Sequence, residues 1–99
     1  MEITDQLNDR TQWSEESFDQ YEEFVIKHHN LPIEIVVEKT GSHAEVNENW
    51  ETWLNVKDES FESEIPASLF DKTFEYRDEA KVFAREMAYK GGIEARLNS

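Results

Sequence analysis

Carboxylates are the main chemistry this chain offers. Asp and Glu supply 23 of its 99 residues, against 10 Lys and Arg and 3 His. Two carboxylates in reach of each other can divide the roles of general acid and general base, or hold a divalent cation. At this density close pairs arise by chance, so a pair alone names no reaction. A calcium loop needs alternating oxygen ligands, a glycine at the turn and a closing Glu. The run Asn47-Glu48-Asn49-Trp50-Glu51 has no such glycine. His28-His29 has no further ligands at zinc spacing. Cysteine is absent, which removes thiolate and disulfide chemistry. There is no Gly-x-Ser-x-Gly elbow, phosphate loop or dinucleotide fingerprint. Gly41, Gly91 and Gly92 all fall where a turn or a helix stop is expected. The expectation is a non-enzyme that needs neither metal nor cofactor.

What carboxylates do in number is set a field. Residues 1–67 carry 17 acidic and 4 basic side chains, a net of −13, whereas residues 68–99 carry 6 of each. A small domain needs a net charge of only about 2–8 for solubility. An excess confined to one part of the chain points to a negative surface that meets a partner. The acids fall in two tracts. The first is Glu15, Glu16, Asp19, Glu22 and Glu23; the second is Glu45, Glu48, Glu51, Asp58, Glu59, Glu62 and Glu64. The candidate contact residues are those of the first tract, Glu45 to Glu62 of the second, and Trp53 as an aromatic anchor. The partner they suit is a basic protein surface, such as a nucleic-acid-binding protein or a nuclease complex. Direct binding to nucleic acid, or to an anionic membrane, is excluded by the want of clustered Lys and Arg.

The elements that must position these groups follow from periodicity. Trp13 and Phe18 have the spacing of a hydrophobic staple around a helix that starts at Ser14. Phe18, Tyr21 and Val25 then form its apolar face, with the first acidic tract opposite. At about 1.5 Å per residue, that face would hold a charge every ~3 Å, against one per about 1.7 Å along duplex DNA. The helix is expected to end at Asn30-Leu31-Pro32, which leaves His28-His29 in its last turns to cap carbonyls. His43 is a turn residue.

Ile33, Ile35 and Val37 alternate with Glu34, Val36 and Glu38, which reads as a strand. Thr40-Gly41-Ser42 is a turn signal. A second strand runs through Trp50, Thr52, Leu54 and Val56. Its other face shows Glu51, Trp53, Asn55 and Lys57, so Trp53 either anchors a partner on an open face or lies under a helix. Residues 58–66 read as a loop, with Phe61 and Ile65 as anchors.

Near the C-terminus, Ala80, Phe83, Ala84, Met87 and Ala88 make the stripe of an amphipathic helix. Asp78 is placed to cap it and Gly91-Gly92 to stop it. Phe74 and Tyr76 predict a strand before this helix; Ile93, Ala95 and Leu97 predict one after it. Residues 1–12 show no period and are expected to be loosely ordered.

The predicted fold is α+β: one domain, an antiparallel sheet of about four strands, with two helices packed on one face. A chain of this length buries roughly 60–65% of its unfolded surface. Twelve aromatic residues argue for folding despite the charge. No apolar run approaches the ~18 residues of a membrane span. The acidic start, Met1-Glu2-Ile3-Thr4-Asp5, does not read as a signal peptide. The absence of cysteine fits the cytoplasm.

In class, a short, cysteine-free, strongly acidic domain is similar to nucleic-acid-mimicking inhibitors. These include phage-encoded anti-CRISPR and anti-restriction proteins, and the immunity proteins of toxic nucleases. The likeness rests on charge and size and assigns no residue a role. It implies an inhibitor that occupies a basic groove. The alternative is a small accessory subunit or adaptor, acidic for solubility.

Overall fold

The computed structural model describes residues 3–18, 23–40, 49–59 and 70–97. The chain forms helix α1 (Ile3–Leu7), a 3-10 turn (Arg10–Gln12), and strands β1 (Trp13–Phe18), β2 (Glu23–His28), β3 (Ile33–Thr40), β4 (Asn49–Val56) and β5 (Lys72–Phe74). Helices α2 (Arg77–Tyr89) and α3 (Gly92–Leu97) close it. The five strands form one sheet in the order β1-β2-β3-β4-β5, and each neighbouring pair is antiparallel. The fold is α+β, with one strand more than expected.

α2 packs against β2, β3, β4 and β5 on one face of the sheet. Its buried residues are Ala80, Phe83, Ala84, Met87 and Ala88, the same five that the helical period picks out. They meet Phe24, Ile26, Ile35, Val37 and Leu54 from the sheet in one core, which Leu7 and Ile93 extend. Small residues on three of the five positions let the helix approach the strands closely. Asp78 and Glu79 lie in the first turn of α2, but Tyr76 stands at the cap position and makes no side-chain cap bond. The helix stops as predicted. Gly91 has φ +68°, a left-handed conformation natural to glycine. A Cβ on Gly92 would come within 2.7 Å of the Met87 Cα.

Three expectations are corrected. Trp13–Phe18 and Glu23–His28 are paired strands, with Trp13 opposite His28 and Phe18 opposite Glu23, so no helix starts at Ser14. Glu is a good helix former, but Phe24, Val25 and Ile26 are all buried, as in a strand covered on both faces. Ile93–Leu97 is helical rather than extended. The segment follows the left-handed turn at Gly91 and buries Ile93 as it packs against α2. Residues 3–12 are structured: Leu7 is 2% exposed, and the Trp13 indole Nε1–H donates to its carbonyl at 3.1 Å. The predicted turn beyond Thr40 and the anchors Phe61 and Ile65 lie outside the described residues. Among those described, no helix is long and apolar enough to cross a membrane.

Candidate functional site

A strand turns alternate side chains to opposite faces, so the sheet sorts the acidic residues. Glu15 stands opposite Ile26, on the face covered by α2. It is solvent-exposed but lies on the opposite side of the sheet from the other acids of β1 and β2. Arg85 donates to it through both Nε (3.2 Å) and Nη2 (3.0 Å), and the Tyr89 hydroxyl donates at 2.8 Å. The Arg85 hydrogen bonds hold the Glu15 carboxyl below its ordinary range, against the opposing effect of burial. Burial, and then the bond to Glu15, push the Tyr89 hydroxyl up to about 12.

Glu16 and Glu23 point to the other, outer face. There the register builds rows across the sheet. Glu23 pairs with Glu38, and Glu38 with Glu51, so three carboxylates lie side by side on β2, β3 and β4. Strands are about 4.8 Å apart, so the row spans about 10 Å with a charge every ~5 Å. That is sparser than duplex DNA and sparser than the helical reading implied. Like charges directly opposite each other on neighbouring strands destabilise a sheet. Among the described residues, none of the three is paired with a cation. The two ion pairs of this face, Lys27–Glu16 at 3.1 Å and Lys57–Glu34 at 3.3 Å, lie to one side of the row. Asn55 adds a 2.9 Å hydrogen bond to Glu34.

Beside the carboxylates runs an apolar row. Val25 faces Val36, and Val36 faces Trp53. Both valines are 3% exposed, so this apolar row is covered, and Trp53, Glu23, Glu38 and Glu51 around it are half-buried rather than fully exposed. Trp53 therefore belongs to the outer face and not to the core under α2. Asp58 and Glu59, just beyond β4, are exposed. Of the predicted contact residues, Glu16, Glu23, Glu51 and Trp53 share the outer face. Asp19, Glu22, Glu45, Glu48 and Glu62 lie outside the described residues. Glu38 was missed; its signal was the polar face of its own strand, and only the register with β4 sets it beside Glu51.

The cations of the other face are occupied. Lys81 and Arg85 stand over Phe24 at 4.8 and 5.3 Å, Lys72 over Phe74 and Phe83 at 5.2 Å, Arg77 over Trp50 at 6.0 Å, and Arg96 over Phe83 at 4.8 Å. At these distances a cation is attracted to the face of the ring, and its aliphatic stem covers apolar surface. Five of the six cations of residues 68–99 thus roof the helix–sheet seam.

His28 is the other polar group in a special setting. It is 7% exposed in β2, not at a helix end, with its ring set edgewise to Trp13 at 4.8 Å. Among the described residues no group of three His, Asp or Glu side chains could hold a metal ion. No protein-family model matches this chain, and neither does any curated protein or solved structure.

Proposed function

We propose that this protein is a small interaction module whose outer sheet face presents a negative surface to a basic groove of a nucleic-acid-binding protein or nuclease complex, in the manner of an inhibitor. The observation that carries this reading is the Glu23–Glu38–Glu51 row. A sheet gains nothing from three aligned carboxylates, whereas a basic partner gains a complementary field and faster encounter. Trp53 beside the row offers an aromatic anchor of the kind that concentrates binding energy. The runner-up is an adaptor whose acids serve solubility.

The test is capture of nucleic-acid-binding proteins on the immobilised protein, followed by elution with duplex DNA or with salt. Retained proteins should be displaced by DNA. They should also be lost between 0.1 M and 1 M salt, as the Debye length falls from about 10 Å to about 3 Å. Reversal of the row, Glu23→Lys with Glu38→Lys and Glu51→Lys, should abolish retention. Reversal on α2, Glu79→Lys with Glu86→Lys, should leave it intact. Equal retention by both variants, or indifference to DNA, favours the solubility reading.

A further inference from the structure

The C-terminal end of α1 is held by two aromatic side chains. The Trp13 indole donates to the Leu7 carbonyl at 3.1 Å, and His28 Nε2 lies 3.0 Å from the Gln6 carbonyl. A carbonyl can only accept, so Nε2 carries the proton. The other ring nitrogen does the opposite job. Nδ1 lies 3.1 Å from the backbone N of Asn30 and 2.9 Å from that of Leu31, and accepts from both. The ring is therefore neutral, with its tautomer set from both sides. A proton added at Nδ1 would face two N–H groups within hydrogen-bond distance, and the charge would be 7% exposed. Those contacts cannot persist with a charged ring.

We propose that His28 is a proton-operated latch on the turn after β2: in acid, protonation at Nδ1 breaks the contacts to the Asn30 and Leu31 N–H groups and opens that turn, while Nε2–H keeps its bond to α1.

The groups facing the ring set the balance. β1 contributes Trp13, which is uncharged. α1 contributes the Gln6 carbonyl, which favours the charged ring, as does Asp9 from the corner before the 3-10 turn. Asp9 is partly engaged, because its Oδ1 accepts from the Thr11 N–H at 3.0 Å and from the Thr11 hydroxyl at 2.6 Å. His29, next along the chain, opposes protonation, and burial opposes it most. The imidazole is held below its ordinary value of 6.5. The turn would open at Asn30 and Leu31, while Leu7, Trp13 and the core under α2 stay packed. Local openings of this kind lie below the cost of global unfolding.

The experiment is an NMR titration of the whole chain from pH 7.5 to pH 4.5, following the His28 ring and the hydrogen-exchange protection of the Asn30 and Leu31 amides, with β3 and β4 as reference. The expected result is a joint step of the His28 ring and the two turn amides with a midpoint below 6.5. The opened population should grow about tenfold per unit fall in pH, as uptake of one proton requires, while β3 and β4 stay protected. His28→Asn keeps an acceptor for the following turn, as Asx turns do, but does not titrate; it should lose the step. Titration of His28 with the Asn30 and Leu31 amides still protected overturns the proposal. So does loss of all signals in one global transition, or a step that survives in His28→Asn. If that variant does not fold, the titration of the parent chain decides alone.

Discussion

Glu15 and Glu16 are neighbours on β1, yet they belong to two different electrostatic worlds. Glu15 lies on the α2 side, where Arg85 and Tyr89 donate to it at the solvent edge. Glu16 faces outward, where Lys27 meets it in a solvent-exposed pair. The contrast extends to the two faces of the sheet. On the α2 side, cations lie over rings and a carboxylate is bonded three ways, so charge reinforces packing. On the outer side, Glu23, Glu38 and Glu51 stand in a row with no cation of the described residues paired to them, and charge opposes folding. Charged residues that help this fold are tied to neighbours, whereas those that strain it stand beside like charges. Net charge alone does not separate the two kinds.

That contrast can be broken most forcefully at the seam. Phe83 is 9% exposed, packs on Phe74 and lies beneath Lys72 and Arg96. Phe83→Ala should cost about 3–5 kcal/mol in chemical denaturation, the range for a buried Phe. A loss below 1 kcal/mol would mean the seam does not hold the fold together.

Smaller effects should sharpen the difference. Glu15→Gln weakens the Arg85 fork and should cost about 1 kcal/mol at neutral pH, between exposed ion pairs and buried charged hydrogen bonds. Its pH dependence has a definite sign. The folded Glu15 carboxyl titrates below 4.5, so its contribution is complete above the unfolded value and fades as pH falls through the folded one. The acid limb of a stability–pH curve should be shallower in Glu15→Gln. Tyr89 acts in the reverse sense. With its hydroxyl raised from 10 to about 12, its contribution is complete below 10 and is lost through 12.

Thr52 tests the core under α2. It is 0% exposed, and its hydroxyl finds no hydrogen-bond partner among the described residues. Thr52→Val keeps the branched shape and removes the unsatisfied group, and should raise stability by about 1 kcal/mol. A loss would show that the hydroxyl is satisfied. The smallest effect belongs to the outer row. Glu38→Gln should leave the stability unchanged or raise it by a few tenths of a kcal/mol at low salt, because it relieves two like-charged neighbours at once. A clear loss would place Glu38 in a stabilising pair and remove the basis for reading the row as a partner surface.

Local pattern determined more of this molecule than charge did. The α2 stripe needed only a period of 3.6 and a glycine stop, both carried within the helix itself, and its five core positions are the predicted ones. The alternation over Ile33–Val37 and Trp50–Val56 likewise marked β3 and β4.

What the tertiary structure decided was pairing. Residues 13–28 carry staple spacing and many Glu residues, so they read as a helix; pairing makes Trp13–Phe18 and Glu23–His28 strands, with β2 bonded to β3. Ile93–Leu97 alternates like a strand, but it follows the turn at Gly91 and coils against α2. The same holds for the candidate site. That the chain would carry a negative surface follows from composition. Which carboxylates form it depends on register, because a shift of one residue exchanges the two faces of a strand. Only the assembled sheet set Glu15 on the α2 side, within reach of Arg85, and Glu38 between Glu23 and Glu51.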